Sequence, residues 1–204
     1  MSMLSMSGDG DDGMTGPIME HDVTVAPKDV PSESGGSLWP NDRKAAVFFV
    51  GNRLMLDEGI GPAVFDEMQK IYDIPDNVLL FDVGCMSLDM LPYVEKCDFI
   101  LTVDAVDGTG QPAGTVFRYP PEDMARHCGA LRSLHDLALV DLFDAASLLG
   151  YEAEGFCVGM QVQNMEPSEY VMGLTPPCYD ALPLLIETVE AELYRHGFPL
   201  QKKS

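Results

Sequence analysis

From Ala45 onward the chain alternates short apolar runs with stretches of helical periodicity. The run "AAVFFVG" (45–51) has strand character and is closed by glycine. "NVLLFDVG" (77–84), "DFILTVDAV" (98–106), the shorter "GTVFRY" (114–119) and "GFCVGMQV" (155–162) read as four further strands. "DFILTVDAV" is apolar at consecutive positions, as a central parallel strand covered on both faces must be. "GTVFRY" suits an antiparallel place at an edge. Between these runs lie helical patterns. "GPAVFDEMQKIY" (61–72) has Gly61 as expected N-cap and Pro62 at the first helical position, with Val64, Met68 and Ile71 on one face. "SLDMLPYVEKC" (87–97) is a short helix begun or kinked at Pro92. "SLHDLALVDLFDAASLLG" (133–150) carries Ser133 and Asp136 in a capping-box arrangement and Gly150 as its stop. "LTPPCYDALPLLIETVEAELYRHG" (174–197) starts with Thr175 as N-cap and Pro176 next, and Pro183 is expected to disturb it. The alternation predicts an α/β fold of three layers: a five-stranded, mostly parallel twisted sheet with helices on both faces.

Residues 1–43 lack this periodicity. They are rich in Gly, Ser, Asp, Met and Pro, and acids outnumber bases. They are expected to form a disordered acidic extension, with residues 44–204 as a single domain. The 204-residue length and 46% apolar content suit one domain with a full core.

Charge narrows the partners. A formal net charge of −21 and the sparse, scattered bases disfavour nucleic acid. No apolar run reaches membrane-spanning length, and the start, "MSMLSMSGDGDDG", lacks the features of a secretory signal. The five cysteines are odd in number and without a C-x-x-C pair, which argues against a zinc site or disulfide framework and for a reducing, cytoplasmic setting.

Candidate chemistry comes from the polar residues beyond the carboxyl ends of the strands, where α/β sheets place their sites. Asp57 and Glu58 follow the first strand, Asp82 ends the second and Asp104 the third. His135 opens the helix after Ser133, where the helix dipole favours the neutral ring that a metal requires. With carboxylates it would make a mixed oxygen and nitrogen donor set. Taken singly, each has an ordinary explanation: a solvated turn for Asp57 and Glu58, a strand-end cap for Asp104, a bond to the following turn for Asp82, a surface position for His135. Phosphate-binding glycine motifs and a serine-hydrolase elbow are absent, and no cysteine has a cationic sequence neighbour to activate it.

Five stretches in order change that balance. "GNRLMLDEGIG", "DVGC", "DFILTVDAV" with "QPAGTV", "SLHDLALVD", and "GFCVGMQV" with "GLTP" together resemble the [NiFe]-hydrogenase maturation endopeptidases, from about Ala45 to Arg195. The resemblance implies a protease that removes the C-terminal extension of a hydrogenase large-subunit precursor after nickel insertion. It implies that Glu58, Asp104 and His135 contact nickel, carried by the precursor rather than held permanently, and serve the cleavage. Asp57 is then a supporting carboxylate that orients Glu58, and Asp82 and Cys85 are supporting or substrate-binding residues. The protease is expected to act as a monomer. Two departures stand out: Cys85 replaces a usual threonine, and Gln163 stands where a proline is expected. The alternative reading is a non-proteolytic nickel escort or quality-control protein for the metal-loaded precursor. A nucleotide-binding domain, resting on fold analogy alone, is a third.

Overall fold

A computed structural model of the chain describes residues 42–84, 88–120 and 134–204, the side chains of residue 88 and of 134–140 excepted. Strand β1 (Ala45–Val50) lies between β3 (Val78–Gly84) and β4 (Phe99–Val106), parallel to both. Next to β4 comes β6 (Glu154–Gln161), again parallel, and β5 (Val116–Tyr119) closes the sheet antiparallel to β6. The order is therefore β3-β1-β4-β6-β5. This is the expected five-stranded, mostly parallel sheet, with "GTVFRY" at its edge.

Every residue of β1 and of β4 is buried, because helices cover both faces. On one face α1 (Ile60–Ile71) and α4 (Pro176–Arg195) pack Val64, Met68, Leu185 and Val189 against Val47, Phe49, Leu101 and Val103. On the other, α2 (Leu91–Lys96) and α3 (Leu134–Leu148) bring Val94, Leu142 and Ala146 to Ala46, Phe48 and Ile100. Alternate residues of each strand serve the two layers.

Some local expectations change. The helix after β1 begins at Ile60, preceded by a 3-10 turn over Leu56–Gly59, so Gly59 rather than Gly61 holds the N-cap position. Gly61 lies inside the helix for a steric reason: a Cβ there would meet the Val50 carbonyl oxygen at 2.1 Å. Pro183 does not break α4. It sits on the exposed face, where the carbonyl it leaves without a helical donor can meet water. A small antiparallel ribbon of β2 (Tyr72–Asp73) and β7 (Gln201–Lys202), unexpected from the sequence, ties the end of α1 to the C-terminal segment. The expected N-terminal extension lies outside the described residues except for Asp42 and Arg43, and Arg43 already donates to the His196 carbonyl oxygen at 3.0 Å. Ser133, the expected cap of α3, also lies outside them.

The connections reverse direction within the sheet. From β1 the chain crosses over α1 to β3 on one side, whereas from β4 it proceeds to β5 and β6 on the other. The reversal falls between β1 and β4, so their carboxyl ends flank a switch point of the kind where α/β proteins place ligands.

Candidate active site

The loop between β1 and α1 is built residue by residue from "GNRLMLDEG". Gly51 has φ of +137°, and a Cβ there would lie 1.9 Å from the Glu58 carbonyl oxygen. Only glycine lets the two ends of the loop come that close. The Asn52 side-chain oxygen accepts from the Leu54 N–H at 3.0 Å, its own N–H donates to the Glu58 carbonyl at 3.2 Å, and its carbonyl accepts from Met55 at 3.1 Å. This side chain makes the local turn.

Asp57 points inward and is fully buried. Its Oδ2 accepts from the N–H groups of Gln163 (3.1 Å) and Asn164 (3.0 Å) and from the Thr175 hydroxyl (2.8 Å). Its Oδ1 accepts from the Thr175 N–H at 2.6 Å. One carboxylate thus joins the end of β1, the exit of β6 and the start of α4. The departure at Gln163 gains a reason, since a proline there has no N–H to give. Thr175 holds the N-cap position, as expected, but its hydroxyl serves Asp57 instead of the helix.

Glu58 follows, half-buried, with its N–H on the Met55 carbonyl at 3.2 Å. Asp104 is in β4, one residue past Val103, which registers with Phe49 of β1. It is 4% exposed, and its Oδ1 accepts from the next N–H, that of Ala105, at 2.7 Å. Two residues earlier on the same strand face, the buried Thr102 hydroxyl has no hydrogen-bond partner among the described residues. Asp104 therefore lies near the end of β4 and Glu58 in the 3-10 turn that follows β1, the two strands beside the switch point.

His135 is the second residue of α3, and its side chain lies outside the described residues. Helix α3 precedes β6, whose amino end pairs with that of β4. The helix thus runs back against the strands, and its first turn lies toward their carboxyl edge, on the face that Asp104 also addresses. Cys85 falls outside the described residues.

Asp82 is engaged by Arg53, a residue outside the expected set. Arg53 donates from Nε (3.0 Å) and Nη2 (2.8 Å) to the Asp82 Oδ2. The same guanidinium reaches Asp66 of α1 at 2.5 and 3.0 Å. The bond from Arg53 holds the Asp66 carboxyl below its ordinary range, and the two acids raise Arg53 in turn. Asp82 also accepts from the Gly84 N–H at 3.4 Å, the bond to the following turn that its place at a strand end suggests. The lone cation of "GNRLMLDEG" is the one sequence signal that points to this brace.

Cysteine chemistry fares poorly. Cys97, Cys157 and Cys178 are buried, and burial pushes the thiols of Cys97 and Cys178 up.

Comparison with known proteins adds to this geometry. A family model described as hydrogenase maturation protease matches residues 62–192. The chain belongs to that family. The matched span includes Asp104 and His135 and begins just after Glu58. The HupD hydrogenase expression/formation protein of Bradyrhizobium diazoefficiens is 29% identical over 164 residues, 80% of this chain and 84% of the relative. The hydrogenase 2 maturation protease of Escherichia coli is 28% identical over 152 residues, 74% of this chain and 91% of the relative. The structure of the E. coli hydrogenase maturating endopeptidase HybD superposes with a TM-score of 0.72 at 26% identity, over 78% of this chain and 98% of that one. This maturation protease is accordingly a peptidase with the HybD architecture. No helix among the described residues is long and apolar enough to cross a membrane.

Proposed function

We propose that this maturation protease removes the C-terminal extension of a [NiFe]-hydrogenase large-subunit precursor, and does so after nickel has been inserted. The observation that carries the reading is that Asp104 lies near the end of β4 and Glu58 in the turn that follows β1, the two strands beside the switch point. His135 is the second residue of α3, whose first turn lies toward the same edge.

Nickel belongs to the substrate in this reading. Among the described residues no three His, Cys, Asp or Glu side chains form a metal-binding group. The proposed set takes two donors from Glu58 and Asp104 and the third from His135, giving carboxylate oxygens and one imidazole, a set suited to a borderline divalent ion. Asp57 supports by position: its bonds fix the turn from which Glu58 projects. Asp82 supports through Arg53, which holds the loop against β3 and α1. Cys85, which follows β3 in the chain, is assigned to the substrate side. Precursor-borne nickel held by the three residues brings the scissile peptide to this edge, and a carboxylate there accepts the proton of the attacking water.

Incubating the chain with nickel-loaded precursor and weighing the precursor by mass spectrometry tests the reading. Loss of a C-terminal fragment is expected with loaded precursor and not with nickel-free precursor. Binding without any mass change would favour the escort function instead.

A further inference from the structure

The peptidase must hold a polypeptide beside Glu58, and the surface next to that residue has unusual properties. Leu56 adopts φ of +53°, a left-handed conformation uncommon for a branched apolar residue. Its N–H donates to the Val171 carbonyl at 2.8 Å, and the Val171 N–H donates to the Leu54 carbonyl at 2.9 Å. Met55 and Val171 thereby form an isolated parallel bridge. The loop that follows β6 is fastened at both ends as well, because Asp57 binds the N–H groups of Gln163, Asn164 and Thr175. The two loops therefore make one braced ledge at the carboxyl edge of the sheet.

That ledge turns apolar side chains outward. Leu54 is 46% exposed, Tyr170 81%, Val171 40% and Met172 72%. Four neighbouring large apolar residues, held out by backbone bonds instead of folded under, mark a surface built for contact. Local strain at Leu56 is the kind that persists where a structure serves a site. The ledge is continuous with the proposed catalytic edge, since the Met55 carbonyl accepts the Glu58 N–H at 3.2 Å. Exposed acids, Glu166 and Glu169, border it and disfavour an acidic occupant.

We propose that Leu54, Tyr170, Val171 and Met172 form the docking ledge for the substrate polypeptide, receiving an apolar, non-acidic stretch adjoining the scissile bond. The proposal rests on the peptidase reading and adds the residues that select the chain to be cut. Tyr170 and Met172 supply most of the contact area, and Leu54 completes the floor.

The test replaces the outward side chains together, L54S/Y170S/M172S, which leaves the backbone bonds of the ledge in place. Wild type and variant are compared on the nickel-loaded large-subunit precursors of the chain's own genome. Binding is read on immobilised precursor and cleavage by mass. Kd and KM are expected to rise tenfold or more, with kcat within about twofold of wild type. Unchanged Kd and KM in a folded variant would overturn the ledge. Should the triple variant melt early, Tyr170→Ser and Met172→Ser singly are each expected to raise Kd about threefold, and no rise in either overturns the ledge in the same way. Wild type that binds but never cleaves would overturn the peptidase reading while Kd still judges the ledge. Wild type that binds no precursor would overturn the ledge itself.

Discussion

Asp57 at the carboxyl edge of the sheet and Glu192 near its amino edge are both almost fully buried, yet they meet different partners. Glu192, in the last turns of α4, accepts from Arg118 Nε at 2.6 Å and Nη2 at 2.7 Å, and from Arg195 at 2.8 Å. His196 lies 3.2 Å away and stacks on Phe99, the first residue of β4, with ring centroids 3.9 Å apart. Burial pushes the Glu192 carboxyl up, but the bonds from His196 and Arg118 and the nearby charges outweigh it and bring it down to about 2. Asp57 is held by three backbone N–H groups and a hydroxyl. The amino edge matches charge with charge and ties α4 to β5. The carboxyl edge satisfies Asp57 with neutral donors, so its bonds bring no cation beside Glu58. One arrangement serves cohesion, and the other suits the place proposed for a positive ion.

Five experiments press on that contrast. The largest effect is expected at the carboxyl edge and on activity alone. Asp104→Asn or His135→Ala should lower precursor cleavage by about a thousandfold or more while the melting temperature stays within a few degrees. Cleavage at the wild-type rate would remove that residue from the site.

Next comes the amino edge, where only stability should respond. Glu192→Ala leaves Arg118 and Arg195 facing a buried gap and is expected to cost about 3–5 kcal/mol in urea unfolding. The pH dependence sharpens this. With a folded value near 2 against an ordinary value of 4.5, the carboxylate contributes fully above about pH 4.5, and its contribution is lost as pH falls toward 2. The full contribution is on the order of 3 kcal/mol. Glu192→Gln should flatten the acid limb of the stability profile, and an unaltered limb would show that other carboxyls set it.

Asp57→Ala should bridge the two behaviours. Leaving three N–H groups and a hydroxyl without their acceptor is expected to cost about 2–3 kcal/mol, and cleavage should fall as well because the turn carrying Glu58 loosens. Stability loss with full activity would separate Asp57 from Glu58. The smallest effect is expected for Arg53→Ala. Its bonds to Asp66 and Asp82 are partly solvated, so about 1 kcal/mol is expected, with a mild rise in KM.

Much of the architecture is legible in the chain because its cause is local. The continuous apolar run at 45–50 and the run at 99–106, interrupted only by Thr102 and Asp104, announce strands covered on both faces, and the glycines of "GNRLMLDEGIG" announce close approach. The helix starts at Ile60 and not after Gly61, because Gly61 and Pro62 imitate a cap, whereas packing against Val50 is what requires glycine there. The β2–β7 ribbon leaves no sequence signal, since each arm is two residues long and carries no periodicity. Glu58, Asp104 and His135 can be named from strand ends and from family likeness. Thr175 as a partner of Asp57 cannot, and of the Arg53 brace only the cation itself is visible.

What the sequence by itself determined, then, is the succession of strands and helices and the set of carboxylates near strand ends, since both follow from side-chain periodicity and position along the chain. Which of two adjacent carboxylates turns inward was decided only by the tertiary structure. Asp57 meets Thr175 across 118 residues and Gln163 across 106. Glu192 likewise meets Arg118 across 74. Such pairings depend on strand order, register and helix placement together, and they leave no pattern in any short window of sequence. The physical reason is that a buried carboxylate must find donors wherever the completed fold delivers them.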